Sequence, residues 1–251
     1  MQFSANLGFL WAELALPDAI RAARAAGFDA VECHWPYECD PRSVRAALDD
    51  TGLEMLGLNT LRGDVGENGL SALPHRRDAA RAAIAQAVDY ATQIRAANIH
   101  VMAGFASGDA AHHTFVDNLI FACDLAADAE ISILIEPLNR YDAPGYFLQT
   151  TEQAIAIIAE VAAPNIKLMF DCYHVQLMEG DLSNKLAQLY DHIGHIQFAS
   201  VPDRAAPDHG EVNFDHIFGV INRLGYARPL GAEYKPQGPT EPTLDWLRKA
   251  R

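Results

Sequence analysis

The chain has 251 residues, half of them hydrophobic, which is enough to bury a large core in one domain spanning 1–251. Its formal net charge of −14 gives a surface that repels polyphosphates. Such a surface disfavours binding driven by counterion release everywhere but at a local basic patch, and no nucleic-acid partner is expected.

In chain order, the first apolar run is "QFSAN" from Gln2, followed by an Ala-rich helical segment that Gly27 closes. "AVECH" from Ala30 reads as a second strand, after which Asp40 and Pro41 spell an N-cap with proline in the first helical turn and Gly52 a C-cap. "LEMLGLN" from Leu53 is a third strand, and the Gly-containing loop "TLRGDVGENGLSALP" after it is long enough to act as a lid. A long helix follows, with Ile84, Ala87, Val88, Ala91 and Ile94 forming one apolar stripe at three- and four-residue steps. "IHVMAG" from Ile99 and "ISILIEP" from Ile131 are the fourth and fifth strands. Thr150 and Gln153 then have the spacing of a capping box at the head of "TTEQAIAIIAEV". "IKLMFD" from Ile166, "HIQFA" from His195 and "PLGAEY" from Pro229 complete eight strands.

Eight strand–helix units in a chain of this length have the rhythm of a (β/α)8 TIM barrel. The rival, a doubly wound open sheet, usually carries a phosphate or dinucleotide fingerprint, and none is present. Cys33, Cys39, Cys123 and Cys172 form no C-x-x-C pair, which suits free thiols in a reducing compartment. No stretch supplies the ~20 uncharged apolar residues of a membrane span, and the apolar start contains Glu13 without a basic leader. A cytoplasmic protein without a membrane partner is expected.

The last four strands each end on a polar residue: Glu136, Asp171, Gln197 and Glu233. In a barrel, inward side chains at the C-terminal strand ends share one mouth. One such residue would ordinarily be a helix cap or a solvated strand end, but four in succession point to a site. Three carboxylates crowded together push each other's pKa up unless a cation relieves them. An oxygen-only set of three carboxylates and an amide suits a divalent Mg2+ or Mn2+ rather than zinc. His192 and His195 read as a helix-end and a barrel-interior residue, not a zinc pair. His174, three residues past Asp171, can donate to a substrate oxygen. Arg204 lies in the long loop "SVPDRAAPDHGEVNF", where its bland alternative is a surface ion pair with Asp203 or Asp208. Lys235 is equally ambiguous. Phe9, Trp11 and Trp35 can wall a pocket, with ordinary core packing as the alternative.

The stretches "LIEPLNRYDAPGYFL", "FDCYHVQLMEGDL", "GHIQFA" and "GAEYKPQ" resemble the hydroxypyruvate isomerase family of xylose-isomerase-like barrels, and the similarity runs from "FSANLGFL" almost to the end. The resemblance implies a metal held by Glu136, Asp171, Gln197 and Glu233, with Glu136 and Glu233 as the acid/base pair. It also implies that His174 and Arg204 touch substrate. Leu58 stands where the family commonly has a histidine, and "PDHGE" replaces a more Gly-rich run before Glu211; both departures are expected in pocket loops and bear on substrate identity more than on reaction class. The expected reaction is isomerisation of a small hydroxy-carbonyl acid, hydroxypyruvate to tartronate semialdehyde, through an enediolate. A 2-oxo-tetronate isomerase or a ketose 3-epimerase would use much the same groups. A metal-dependent phosphodiesterase conflicts with the acidic charge, a binding-only barrel with the full ligand set, and homo-oligomerisation is left open.

Overall fold

The computed structural model describes residues 1–250. Nine parallel strands occur: β1 (Phe3–Asn6), β2 (Ala30–Glu32), β3 (Glu54–Met55), β4 (Leu58–Asn59), β5 (Asn98–His100), β6 (Ser132–Ile135), β7 (Ile166–Asp171), β8 (Ile193–Phe198) and β9 (Leu230–Ala232). Their order is β3-β2-β1-β9-β8-β7-β6-β5-β4. Since β3 and β4 are successive pieces of one stave, the two ends of this order meet and the sheet closes into a (β/α)8 barrel. The same segment bonds both neighbours: Leu56 N–H donates to Val31 O, Cys33 N–H to Gly57 O, and Ala97 N–H to Met55 O.

The third strand, expected as one run, is interrupted in its middle. There the Asn98 side-chain amide donates to Leu56 O, taking a carbonyl that a continuous ladder would have used. Leu58, at the start of β4, is buried and lines a small cavity inside the barrel rather than a pocket loop.

The helices that carry the staves outward are α1 (Leu16–Ala26), α2 (Pro41–Thr51), α3 (Arg77–Ile94), α4 (Asp109–Ala127), α5 (Thr151–Val161), α6 (Cys172–Met178), α7 (Leu182–Leu189), α8 (Phe214–Arg223) and α9 (Asp245–Lys249). Their ends obey the local chemistry. Gly27 and Gly52 close α1 and α2 in the left-handed region that lacks a Cβ penalty only for glycine. Asp40 accepts from Arg42 N–H. Thr150 accepts from Gln153 N–H at 3.2 Å, but Gln153 Oε1 reaches back to Gln149 N–H, so the reciprocal half of the box is displaced by one residue. Thr150→Ala is expected to lower the unfolding free energy by ~1 kcal/mol; an unchanged urea midpoint would contradict that cap.

The apolar stripe of α3 is buried as expected. Outside the barrel, Phe3, Phe198 and Trp246 meet edge to face with centroids 5.2–5.9 Å apart and seat α9 on β1 and β8. Trp11 belongs to this outer packing, its indole N–H bonded to Glu241 and its ring against Phe28. No helix is long and apolar enough to cross a membrane among the described residues.

Candidate active site

Strand alternation puts the candidate groups in place. Leu134, Met169 and His195 face a cavity of about 20 Å³ inside the barrel, and two residues further along each strand the same side carries Glu136, Asp171 and Gln197. Asp171 is paired in register with Gln197. Glu233 follows β9 by one residue, and all four side chains are buried.

Ligand atoms of Glu136, Asp171, His174 and Glu233 lie within 4.8 Å of one another. Asp171 serves two purposes: its Oδ1 caps α6 by accepting from Tyr173 N–H at 2.9 Å, while its buried Oδ2 has no hydrogen-bond partner among the described residues. Glu136 Oε1 and Gln197 Oε1 are buried and unpartnered in the same way. Three orphaned acceptor oxygens, two from carboxylates and one from an amide, beside the third carboxylate, Glu233, are costly unless something positive joins them. They fit a hard divalent cation, and the group could bind one.

The segment after β6 explains His174. Asn139 forms a turn in which its Oδ1 accepts from Tyr141 and Asp142 N–H. Its backbone N–H donates to His174 Nδ1 at 2.9 Å, and its side-chain amide approaches the same nitrogen at 2.7 Å. Nδ1 is thereby the acceptor, so the proton resides on Nε2. That Nε2 is buried with no hydrogen-bond partner among the described residues, 3.6 Å from Asp171 Oδ2 and 3.8 Å from Glu136 Oε1. Burial, reinforced by Arg204, holds the imidazole well below its ordinary pKa. His174 is thus a neutral N–H donor aimed into the site, and its geometry suits a substrate oxygen better than a metal.

Arg204 turns inward. Its Nη2 lies 2.5 Å from Glu233 Oε2 and 3.8 Å from Asp171 Oδ2, and its Nη1 3.5 Å from Asp142 Oδ2. The guanidinium sits against the rings of Phe9 and Tyr173 at 5.1 and 5.0 Å. Asp203 and Asp208, the alternative surface partners, instead flank His209. The loop is compact, with Lys235 N–H bonded to Arg204 O, Ser200 Oγ to His209 O and Glu211 N–H to Val201 O. Lys235 itself is exposed, its ammonium 5.4 Å from the Phe9 ring centroid.

These surroundings drive the carboxylates apart. Burial first, then Glu233 and Asp171, push Glu136 well above the carboxylate range. Burial and Glu233 push Asp171 up to about 7. Burial also opposes the charge on Glu233, but Arg204 and the hydrogen bond from His34 outweigh it and hold that carboxyl below its ordinary value.

Several site residues come from the first half of the barrel, which the reading of strand ends had not covered. Asn6, ending β1, donates to Glu233 Oε1 at 3.0 Å and to Glu32 Oε1 at 3.1 Å. His34 Nε2 is 3.0 Å from Glu233 Oε1, its ring packed between Phe9 and Trp35. His100, ending β5, places Nδ1 3.5 Å from Glu136 Oε2, and burial lowers its pKa to about 4. Glu32 accepts from Gln197 and contacts His195, which lies in the barrel interior as expected. Applying the strand-end rule to "QFSAN" and "AVECH" would have found Asn6, Glu32 and His34, whereas His100 is the second residue of "IHVMAG" and ends its strand only because β5 stops before the apolar run does.

A family model described as xylose isomerase-like TIM barrel matches residues 20–250. The chain is 44% identical to a 2-oxo-tetronate isomerase of Cupriavidus necator, covering 98% of this chain and 97% of that protein. It is 38% identical to a hydroxypyruvate isomerase of Escherichia coli, covering 98% of both. Among solved structures, one described as an AP endonuclease, family 2, from Brucella melitensis superposes with a TM-score of 0.95 at 35% identity, over 100% of this chain and 99% of that one. Sequence and architecture agree over the full barrel, and with relatives of matching length that include a 2-oxo-tetronate isomerase and a hydroxypyruvate isomerase this chain belongs to the xylose isomerase-like TIM barrel family.

Proposed function

We propose that this protein is an aldose–ketose type isomerase that interconverts a 2-oxo-3-hydroxy acid and its 2-hydroxy-3-oxo isomer, with hydroxypyruvate and tartronate semialdehyde as the pair. The observation that carries this reading is one buried mouth holding two glutamates in opposite electrostatic surroundings, beside three unpartnered acceptor oxygens and an inward guanidinium. The 44% identity to a 2-oxo-tetronate isomerase favours a second substrate. That four-carbon acid has the same 2-oxo-3-hydroxy unit with one hydroxymethyl group added at C3.

Glu136, Asp171, Gln197 and Glu233 would hold Mg2+ or Mn2+, which when bound supplies Lewis-acid stabilisation for negative charge developing on the substrate's carbonyl and hydroxyl oxygens. The Arg204 fork takes the substrate carboxylate, for which its planar geometry is suited. In doing so it loosens its hold on Glu233 and restores that carboxylate's basicity. Glu233 removes the C3 proton, and Glu136 returns a proton to C2. The C3–H bond breaks and a C2–H bond forms, C2=O becomes C2–OH and C3–OH becomes C3=O, with no net redox change. His174 Nε2–H donates to the oxygen on which charge accumulates. Phe9 and Tyr173 keep water from the guanidinium.

Isomerisation of both acids by the purified protein, followed by proton NMR in heavy water, tests the reading. Deuterium at C2 of the product and loss of the pro-chiral C3 hydrogen are expected; turnover of neither acid, with epimerisation of a ketose instead, would replace it.

Metal binding has a pH signature. With an ordinary value of 3.8 and a folded value of about 7, Asp171 makes the metal-free fold less stable as pH rises through that window. A cation removes that cost but competes with the proton below pH 7. Adding Mn2+ to chelator-treated protein should therefore raise the melting temperature more at pH 8 than at pH 6; equal shifts would contradict the assignment of Asp171 as a ligand.

A further inference from the structure

We propose that Glu32, at the end of β2, is a positioning residue for the cation site: its carboxylate fixes which end of the Gln197 amide faces the carboxylate cluster. The inference rests on reading Gln197 Oε1 as a ligand. Glu32 is only 3% exposed and lies outside the group of mutually close ligand atoms. A carboxylate kept in a barrel interior, where branched apolar residues usually dominate, is costly without a task.

Its contacts define one. Glu32 Oε1 accepts from Gln197 Nε2 at 3.0 Å and from Asn6 Nδ2 at 3.1 Å, while Oε2 lies 2.5 Å from His195 Nε2. A primary amide has chemically different ends, and a carboxylate can satisfy only the N–H end. With Nε2 committed to Glu32, Oε1 is left buried and unpartnered, which is the condition for a ligand. Asn6 is oriented by the same logic. Its Oδ1 accepts from Gly8 N–H at 2.9 Å, so its amide hydrogens bridge Glu32 and Glu233.

The backbone makes room for this assembly. A Cβ on Gly231 in β9 would lie 2.6 Å from Glu32 Oε1, 2.8 Å from Gln197 Cγ and 2.8 Å from His195 Nε2. Only a hydrogen fits where the three side chains meet, although the position is in a regular strand where glycine is otherwise unfavourable.

Mn2+ binding to chelator-treated protein, measured by calorimetry for the wild type, Glu32→Gln, Gln197→Glu and the E32Q/Q197E pair, tests the inference. In Glu32→Gln the one remaining carbonyl oxygen accepts from His195 Nε2–H, so the amide N–H end turns at Gln197 and Asn6 and displaces the Gln197 amide; Mn2+ binding is expected to weaken ~10–100-fold with an unchanged far-ultraviolet spectrum. In the double variant the amide at 32 donates to a carboxylate at 197 whose two oxygens are alike, and affinity should return to the wild-type range. Unchanged affinity in folded E32Q overturns the inference. So does a folded double variant that stays weak, since a merely structural loss would not be repaired by exchanging donor and acceptor. If E32Q alone does not fold, the folded double variant decides by the same criterion. Wild-type protein that binds no Mn2+ would instead sink the reading of the cation site itself.

Discussion

Glu136→Gln and Glu233→Gln should each reduce turnover by ~10^2 to 10^4-fold or more, the range expected for loss of a positioned acid or base. The two variants should separate in stability. Glu136 is buried among like charges that already push it toward its neutral form, so an amide of the same shape leaves the metal-free fold as stable as before or slightly more so. Glu233 is the main partner of a buried guanidinium, and its neutralisation leaves Arg204 with the more distant Asp171 and Asp142. E233Q is therefore expected to melt at a lower temperature in chelator than wild type, and E136Q is not. Circular dichroism melts and deuterium exchange into recovered substrate check both points. Near-wild-type isomerisation by either variant would mean that the proton travels through another group.

The second large effect belongs to Arg204. Arg204→Ala removes the cation from among Glu233, Asp171, Glu136 and Asp142, and a buried charge network stripped of one partner typically loses ~3–5 kcal/mol. The loss should be largest in chelator and partly repaired by Mn2+, which supplies positive charge to the same carboxylates. In the isomerase assay the variant should lose ~2–5 kcal/mol in kcat/KM, the usual cost of truncating one member of a buried charge pair. Arg204→Lys separates the two roles: it restores charge and much of the stability but not the planar fork, so kcat/KM stays low. A variant without Arg204 that is as stable and as active as wild type would place the substrate carboxylate elsewhere.

Much of this was legible in the chain. The eight staves, the caps at Asp40, Gly27 and Gly52, and the polar ends of the last four strands follow from periodicity and local chemistry, which act over a few residues. What was not legible depends on distant partners. The state of His174 is set by Asn139, 35 residues away in sequence. Arg204 could be read equally well as a surface ion pair until the fold turned it onto Glu233 and gave Asp203 to His209. The break in the third stave comes from Asn98 capturing a carbonyl on the neighbouring segment. Asn6, Glu32 and His34 carry the same strand-end signature as the second half, but each is a single polar residue whose direction is fixed only when the barrel closes, and His100 lies early in an apolar run that outlasts β5.

The bond from Lys235 N–H to Arg204 O, 2.7 Å long, ties the guanidinium's own backbone to a residue two positions past Glu233. The bond fastens the β8–α8 connection to the chain just past β9. The cation and its carboxylate are thus neighbours through the backbone as well as through their side chains, and an incoming anion that takes the fork competes directly with Glu233 for it.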